Sequence, residues 1–386
     1  MVDRSSDVAV LRKLIEQFPV TGIIGARQVG KTTLARIVGD GLGWKVTHID
    51  LEDPEDLERM KEPMMALRDL RGLIIIDEIQ RTPEIFPVLR VLADRHEAHT
   101  RYLILGSASP DLLRQGSESL AGRIAFHELG GFTLPDLGIE SLGQLWLRGG
   151  FPRSYLAKDD ASSLLWRREY IQTFLERDIP QLGSSVPAAT LRRFWNMIAH
   201  YHGQLWNAAE LSRSFGLSDA SVRRYLDLLT SALVLRQLSP WHENLGKRQI
   251  KSPKVYVADS GILHALLGIE NAEDLHVRPQ IGASWEGFFL DQIIRLVGLR
   301  WDECYFWRTT AGAELDLFFM HRGRRIGVEI KRTSTPKITP SMRSALQDLK
   351  LDELILLHAG QKSFPLAENI HAVAADRLLA DFPISR

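Results

Sequence analysis

The chain has 386 residues, more than one ordinary hydrophobic core organises, so two or three domains are expected. Apolar residues make up 45% and charged residues 25%, the balance of a soluble globular protein; 48 lysines and arginines against 48 aspartates and glutamates exclude a global positive charge for nucleic acid, so any basic surface is local. The single cysteine, Cys304, excludes an intrachain disulfide framework and a cysteine-based zinc finger, and with no signal-peptide run and no membrane-length apolar stretch it leads to the expectation of a cytoplasmic protein with no membrane partner.

Residues 8–17 carry Val10, Leu11, Leu14 and Ile15 at helical spacing, and residues 18–24 (F-P-V-T-G-I-I) read as a short buried strand. Next comes G-A-R-Q-V-G-K-T-T over residues 25–33, which matches G-x-x-x-x-G-K-[ST] at Gly25, Gly30, Lys31 and Thr32, with a helix running on through Leu34 and Ile37. Strand, loop and helix are the context a phosphate-binding loop requires. Its glycines let successive backbone N–H groups turn toward phosphates at a helix N-terminus, so Gly25, Ala26, Arg27, Gln28, Val29, Gly30, Lys31, Thr32 and Thr33 are the expected ATP cradle. Lys31 is expected to reach the β and γ oxygens and Thr32 to ligate Mg²⁺.

Residues 45–51 alternate like a strand, and the acidic, proline-bearing stretch to residue 70 reads as loop plus helix. Residues 73–80 (L-I-I-I-D-E-I-Q) then form an apolar run suited to a buried parallel strand and ending in two carboxylates, a Walker B pattern. Asp77 is expected to hold Mg²⁺ through its water shell and Glu78 to orient and activate the attacking water. A further strand at 101–106 ends in Ser107, Ala108 and Ser109; Ser107 is a candidate γ-phosphate sensor or a helix cap, with Ser109 as the alternative cap.

These motifs resemble the AAA+ ATPases. In that resemblance the segment S-L-A-G-R-I at 119–124 places Arg123 before the last core strand, where it is the candidate arginine finger for a neighbour's ATP; Arg114, or a structural role for Arg123, stays open. Residues 145–183 are helical in pattern, with a turn at R-G-G-F-P (148–152) and an amphipathic segment at 162–179, and look like a helical lid; Glu176, Arg177 and Asp178 read as a solvated helix end. Residues 191–240 read as a winged helix: Asn207 with Glu210 starts one helix, Gly216 breaks it, and Ser218 opens the second. Arg223 and Arg224 near the start of that second helix, with Lys247, Arg248 and Lys251 on the following wing loop, where Lys254 also clusters, are the candidate nucleic-acid contacts, the alternative being a packing module.

After a strand at 255–259 and a helix at 261–267, a helix opening at 282–289 carries Glu286, a strand at 313–319 carries Asp316, and a strand at 326–331 (I-G-V-E-I-K) carries Glu329 and Lys331. Residues two apart on a strand leave the same face, so Glu329 and Lys331 share one, which Asp316 can reach. Helix, hairpin and E-x-K ending resemble the PD-(D/E)xK nuclease fold, in which the three carboxylates would gather a second Mg²⁺ and Lys331 would activate water; the alternative is a cross-strand salt bridge. Arg322, Arg324, Arg325, Arg332 and Lys337 are the flanking candidates for phosphate contacts.

Taken whole, the chain resembles bacterial and archaeal AAA+-like ATPases with a DUF4143 C-terminal region, on R-G-G-F-P, L-E-R-D-I (175–179), V-Y-V-A-D-S-G-I and the E-x-K strand. The resemblance implies an α/β protein with a P-loop AAA+ core built on a parallel sheet (residues 1–140), a helical lid (141–185), a winged helix (186–254) and a C-terminal α/β restriction-endonuclease-like domain (255–386). It implies ATP and Mg²⁺ as ligands and a homo-oligomer, with a hexameric ring one candidate. The expected function is ATP hydrolysis acting on nucleic acid, as DNA remodelling or processing; a nucleotide switch for a protein partner and an ATP-licensed nuclease are the alternatives.

Overall fold

The computed structural model describes residues 2–95, 100–107, 118–181, 183–242 and 251–384. The chain divides into two compact units: residues up to Gly131 with Ser231–Leu233, and Phe132–Thr230 with Val234 onward. The first unit therefore closes near residue 131.

Unit 1 is an α/β layer structure around a parallel sheet of β1 (Val20–Gly25), β2 (Val46–Asp50), β3 (Gly72–Asp77), β4 (Thr100–Ser107) and β5 (Ile124–Leu129), in the order β2-β3-β4-β1-β5. All four pairings are parallel. Strand β1 is buried at every position, as a central strand covered on both faces must be. Ile74, Ile76, Tyr102 and Ile104 pack with Phe86 and Leu89 of the helix Ile85–Ala93 into one core. Because the strands are parallel, their C-terminal ends share one edge. The register sets Gly25 beside Ser107 and Asp50 beside Asp77 there.

Unit 2 is built on a nine-stranded mixed sheet in the order β13-β14-β12-β11-β10-β9-β7-β8-β6, whose strands are β6 (Gln204–Leu205), β7 (Leu235–Pro240), β8 (Lys254–Val257), β9 (Cys304–Arg308), β10 (Glu314–His321), β11 (Arg324–Lys331), β12 (Glu353–His358), β13 (Phe364–Ala367) and β14 (Ile370–Ala374). The hairpin β10–β11 turns through Arg322 and Gly323, both at positive φ (49° and 80°), as a tight hairpin turn demands. Before the sheet come the helices Leu142–Arg148, Pro152–Tyr155 and Asp160–Thr173, and a π-helical turn Phe174–Asp178. Glu176 and Arg177 are exposed, as a solvated helix end requires, but Asp178 is buried.

The helix Ala188–His200 is followed by β6, the helices Ala208–Phe215 and Asp219–Ser231, and then β7 and β8, and β8 pairs antiparallel with both β6 and β7. Asn207 caps the second helix by accepting from Glu210 N–H at 3.3 Å, and Gly216 ends it at φ 66°. The expected boundary at 254/255 falls inside β8. One strand thus completes the small three-stranded sheet, and β7 carries it into the C-terminal sheet by pairing with β9.

Two sequence segments without an assigned role form one junction. Asp259 accepts from Gly150 N–H at 2.7 Å and caps the helix Ser260–Leu266 by accepting from Ile262 N–H at 2.9 Å. Gly261 lies so close to the other segment that a Cβ would stand 2.1 Å from the Arg148 carbonyl oxygen. The fully buried Arg167 donates to the carbonyls of Ser163, Leu147 and Gly261, while Arg148 pairs with Asp160 at 2.6 Å. R-G-G-F-P and A-D-S-G-I are therefore two halves of a backbone-to-backbone contact. Gly261→Ala is expected to cost about 1–3 kcal/mol in urea unfolding, because the clash is with backbone that cannot swing aside; Gly268→Ala, with open space around its Cβ position, serves as the comparison for a strained φ alone.

Candidate functional site

The loop between β1 and the helix Lys31–Asp40 is shaped by two left-handed residues, Gln28 at φ 63° and Gly30 at φ 104°. Gly30 stands at the helix N-cap without a side-chain cap, so the first N–H groups of the helix face the loop's concavity with no protein oxygen on them from that residue. Gly25 has no room for a side chain: a Cβ would lie 2.4 Å from the Leu129 carbonyl oxygen. Val29 is buried and anchors the loop from beneath, whereas Thr33 is exposed. Arg27 pairs with Glu52 at 2.9 Å. The Lys31 ammonium, almost fully buried, donates to the carbonyl oxygens of Gly25 and Ala26, each at 3.1 Å.

Across the sheet edge, Thr32 Oγ1 donates to Asp77 Oδ2 at 2.6 Å, which sets side by side the two oxygens expected to hold Mg²⁺. Asp77 Oδ1 accepts from Glu78 N–H at 2.9 Å. An uncapped helix N-terminus, a buried lysine turned into the loop and a hydroxyl–carboxylate pair fit a nucleotide phosphate with its divalent ion. Glu78 follows the last residue of β3 in the left-handed region at φ 54°, a conformation that costs a non-glycine residue on the order of 1 kcal/mol and is met at functional sites. Burial raises its pKa above the ordinary 4.5, while Lys31 and the hydrogen bond from Gln80 pull it back.

Gln80 is the residue that sequence reading missed. Its amide nitrogen donates to the Glu78 carboxylate and, at 3.2 Å, to Ser107 Oγ, and so connects the expected water-activating base with the expected sensor. Nothing in I-D-E-I-Q marks it, because its reach back to Glu78 depends on the left-handed turn at that residue. Glu78 must be ionised to accept a proton, so ATPase activity is expected to fall as pH drops through a value above 4.5. In Gln80→Ala the hydrogen bond that lowers this pKa is gone, so the acid limb of the kcat profile should move to higher pH, while KM for ATP stays within about twofold because Gln80 touches no phosphate-loop group.

Arg123 is placed at the other end of the sheet. It precedes β5, whose Ile124 pairs with Val20 at the start of β1, and five residues of strand, roughly 17 Å, separate that end from Gly25. Its guanidinium is held by Asp94 through two hydrogen bonds of 2.6 and 3.0 Å. This geometry excludes Arg123 from its own phosphate loop. Ser109 and Arg114 lie outside the described residues.

In unit 2 the exposed Arg223 and Arg224 lie on the helix Asp219–Ser231, and Lys251 is exposed ahead of β8; Lys247 and Arg248 lie outside the described residues. Lys254 is not part of an exposed basic loop. It is buried, with its ammonium 2.6 Å from Glu314 Oε1, 3.1 Å from Glu286 Oε1 and 3.6 Å from Asp316 Oδ1. Burial pushes its pKa down, but Tyr256 and the carboxylates of Glu286, Asp316 and Glu314 outweigh this and hold it well above the ordinary value. Glu329 and Lys331 do meet, at 2.9 Å, with Asp316 Oδ2 3.8 Å from the lysine. Burial and the neighbouring Asp316 raise the Glu329 pKa to about 8.

Glu286, Asp316, Glu329 and Lys331 are thus brought together, but as an ion-pair network. Among the described residues no group of three or more acidic, histidine or cysteine side chains is arranged to hold a metal ion. Of the flanking cations, Arg324 is engaged with Glu353 at 2.8 Å, Arg325 donates to the Leu349 carbonyl at 2.8 Å, and Arg332 lies over the Trp146 ring at 5.9 Å. Arg322 and Lys337 are exposed. No helix among the described residues is long and apolar enough to cross a membrane.

Three family models match the chain: an AAA domain over residues 17–137, a domain of unknown function (DUF8612) over 139–273, and a domain of unknown function (DUF4143) over 281–378. An uncharacterized protein of Mycobacterium tuberculosis and one of Mycobacterium bovis are each 52% identical to it over 379 residues, covering 98% of this chain and 85% of theirs. Among solved structures, a Walker-type ATPase of Pyrococcus abyssi is 16% identical with a TM-score of 0.48, covering 69% of this chain and 96% of that one. The Thermotoga maritima RuvB Holliday junction branch migration motor is 16% identical with a TM-score of 0.32, covering 61% and 90%.

Proposed function

The chain belongs to the family of AAA-domain ATPases that carry a DUF4143 C-terminal domain, and on that premise we propose that it hydrolyses ATP in unit 1 and acts through unit 2 on nucleic acid. The observation that carries the ATPase reading is the 2.6 Å contact between Thr32 and Asp77 at the mouth of an uncapped, glycine-shaped loop. The backbone of residues 25–33 binds the phosphates. Lys31 leaves the carbonyls of Gly25 and Ala26 for the β and γ oxygens, a short move for a flexible four-carbon stem. Thr32 and Asp77 would hold Mg²⁺, which when bound draws negative charge off the bridging phosphate oxygens.

Glu78 accepts a proton from the attacking water, Gln80 holds its carboxylate in place, and Ser107 meets the γ-phosphate. Arg123 enters the site of a neighbouring copy once its pair with Asp94 is exchanged for phosphate oxygens; its position at the far end of the sheet makes any such action one between subunits. Glu78→Gln is expected to lower kcat roughly 10²- to 10⁴-fold while ATP binding is retained, measured by phosphate release and by nucleotide titration. Loss of binding in place of loss of turnover would overturn the role given to Glu78.

The nucleic-acid reading rests on the order of elements in residues 188–257. Three helices and three short strands, with the helices Ala208–Phe215 and Asp219–Ser231 separated by Gly216 and followed by antiparallel β7 and β8, support the winged-helix reading. Arg223 and Arg224 are exposed on the helix that such a module lays against DNA. DNA affinity is expected to fall linearly on a log–log plot against salt, and the double change Arg223→Ala and Arg224→Ala to reduce that slope by about 2, one per lost phosphate contact. A salt-independent ATPase unchanged by duplex, forked and single-stranded DNA would instead favour the nucleotide switch for a protein partner.

A further inference from the structure

The position of Lys254 separates the C-terminal carboxylates from a hydrolytic role. It is the first residue of β8, is 3% exposed, and faces carboxylates from two other elements: Glu286 of the helix Ile281–Val297, and Glu314 and Asp316 of β10. Tyr256, two residues on and therefore on the same face of β8, donates to Glu286 Oε1 at 2.7 Å, the oxygen that Lys254 also meets. Glu314 is shared with Arg308 at 3.2 Å. Asp316 gives its second oxygen to Ile330 N–H at 2.8 Å. A divalent ion of the Mg²⁺ type requires several oxygens with free lone pairs at near-octahedral positions. Here the oxygens of Glu286, Glu314 and Asp316 converge on a fixed ammonium, and only Glu329 Oε2 is a buried carboxylate oxygen without a hydrogen-bond partner.

We propose that Lys254 is the resident cation of this cluster: its ammonium stands where a metal would bind, closes the site to divalent ions, and pins β8 to the hairpin β10–β11 and to the helix Ile281–Val297. Two consequences follow from the same contacts. The C-terminal sheet does not assemble a hydrolytic metal centre while Lys254 is in place. The small sheet of β6, β7 and β8 is fastened to the C-terminal sheet by the ion pairs of Lys254 as well as by the short β7–β9 pairing and the Tyr256–Glu286 hydrogen bond, so this lysine adds a charged link between the module bearing Arg223 and Arg224 and the DUF4143 domain. The proposal does not depend on ATP turnover or on DNA binding.

The test is Mn²⁺ binding to the nucleotide-free full chain, followed by electron paramagnetic resonance, with Asp77→Asn in every sample so that the phosphate-loop site is silent. With Lys254 present, adding Asp316→Asn should leave the number of bound Mn²⁺ ions unchanged. Lys254→Met should gain one ion, bound at least about tenfold more tightly than any the Lys254 chain binds, since a buried unit positive charge has been taken from its ligands; adding Asp316→Asn to Lys254→Met should abolish the gain. Because Lys254→Met leaves buried carboxylates uncompensated and can impair folding, Lys254→Met with Glu314→Gln repeats the arm with the charge rebalanced. One Mn²⁺ bound by the Lys254 chain and lost with Asp316→Asn overturns the proposal, as does a folded Lys254→Met chain that gains none. Mn²⁺-dependent DNA cleavage by the wild-type chain that Asp316→Asn removes would overturn it as well.

Discussion

Parallel pairing of β1, β3 and β4 is the constraint on which the nucleotide site depends. Three apolar strands buried on both faces can run in one direction only if every return path crosses the sheet, and this brings their C-terminal ends to one edge. The phosphate loop leaves the end of β1, Asp77 and Glu78 the end of β3, and Ser107 the end of β4. Residues more than 80 positions apart thereby converge without a long side chain spanning the distance. The same geometry assigns Arg123 elsewhere: preceding β5 at the N-terminal edge, it can serve a site only in another molecule.

Unit 2 depends on a different balance, between buried charge and backbone contact. Its fully buried Arg167 is tolerated because three carbonyl oxygens accept from it, with Asp259 nearby, and its buried Lys254 because three carboxylates surround it. A buried cation deprived of partners costs several kcal/mol, so each of these residues constrains every element that supplies an oxygen to it. For Arg167 these are the helices Leu142–Arg148, Asp160–Thr173 and Ser260–Leu266; for Lys254 they are β10 and the helix Ile281–Val297. The motifs R-G-G-F-P and V-Y-V-A-D-S-G-I mark this scaffolding. Gly149 and Gly261 are explained by close approach across the junction, Asp259 by helix capping and Arg148 by its pair with Asp160.

The phosphate-loop pattern and the D-E strand end were legible from sequence because each is local: nine consecutive residues make the loop, and two adjacent carboxylates follow one apolar run. The helix pair at 208–231 was legible for the same reason, through Asn207, Gly216 and Ser218. Gln80 was not, since its function comes from the φ of a residue two positions earlier. Lys254 was misread because in sequence it closes a cluster of cations with Lys247, Arg248 and Lys251, whereas its antiparallel pairing in β8 turns it inward onto carboxylates 32 to 62 residues away.

Sequence alone carried the α/β class, the phosphate-loop pattern at residues 25–33, the candidate roles of Asp77 and Glu78, and the gathering of Asp316, Glu329 and Lys331, because spacing along a strand or loop dictates which side chains share a face, whereas Glu286 entered through the nuclease-fold resemblance. Tertiary structure decided what that gathering encloses. Whether three carboxylates and a lysine form a metal centre or a salt-bridge network depends on which further charge enters the space between them, and only the pairing of β8 with β6 and β7, together with its approach to the helix Ile281–Val297, brings the ammonium of Lys254 there.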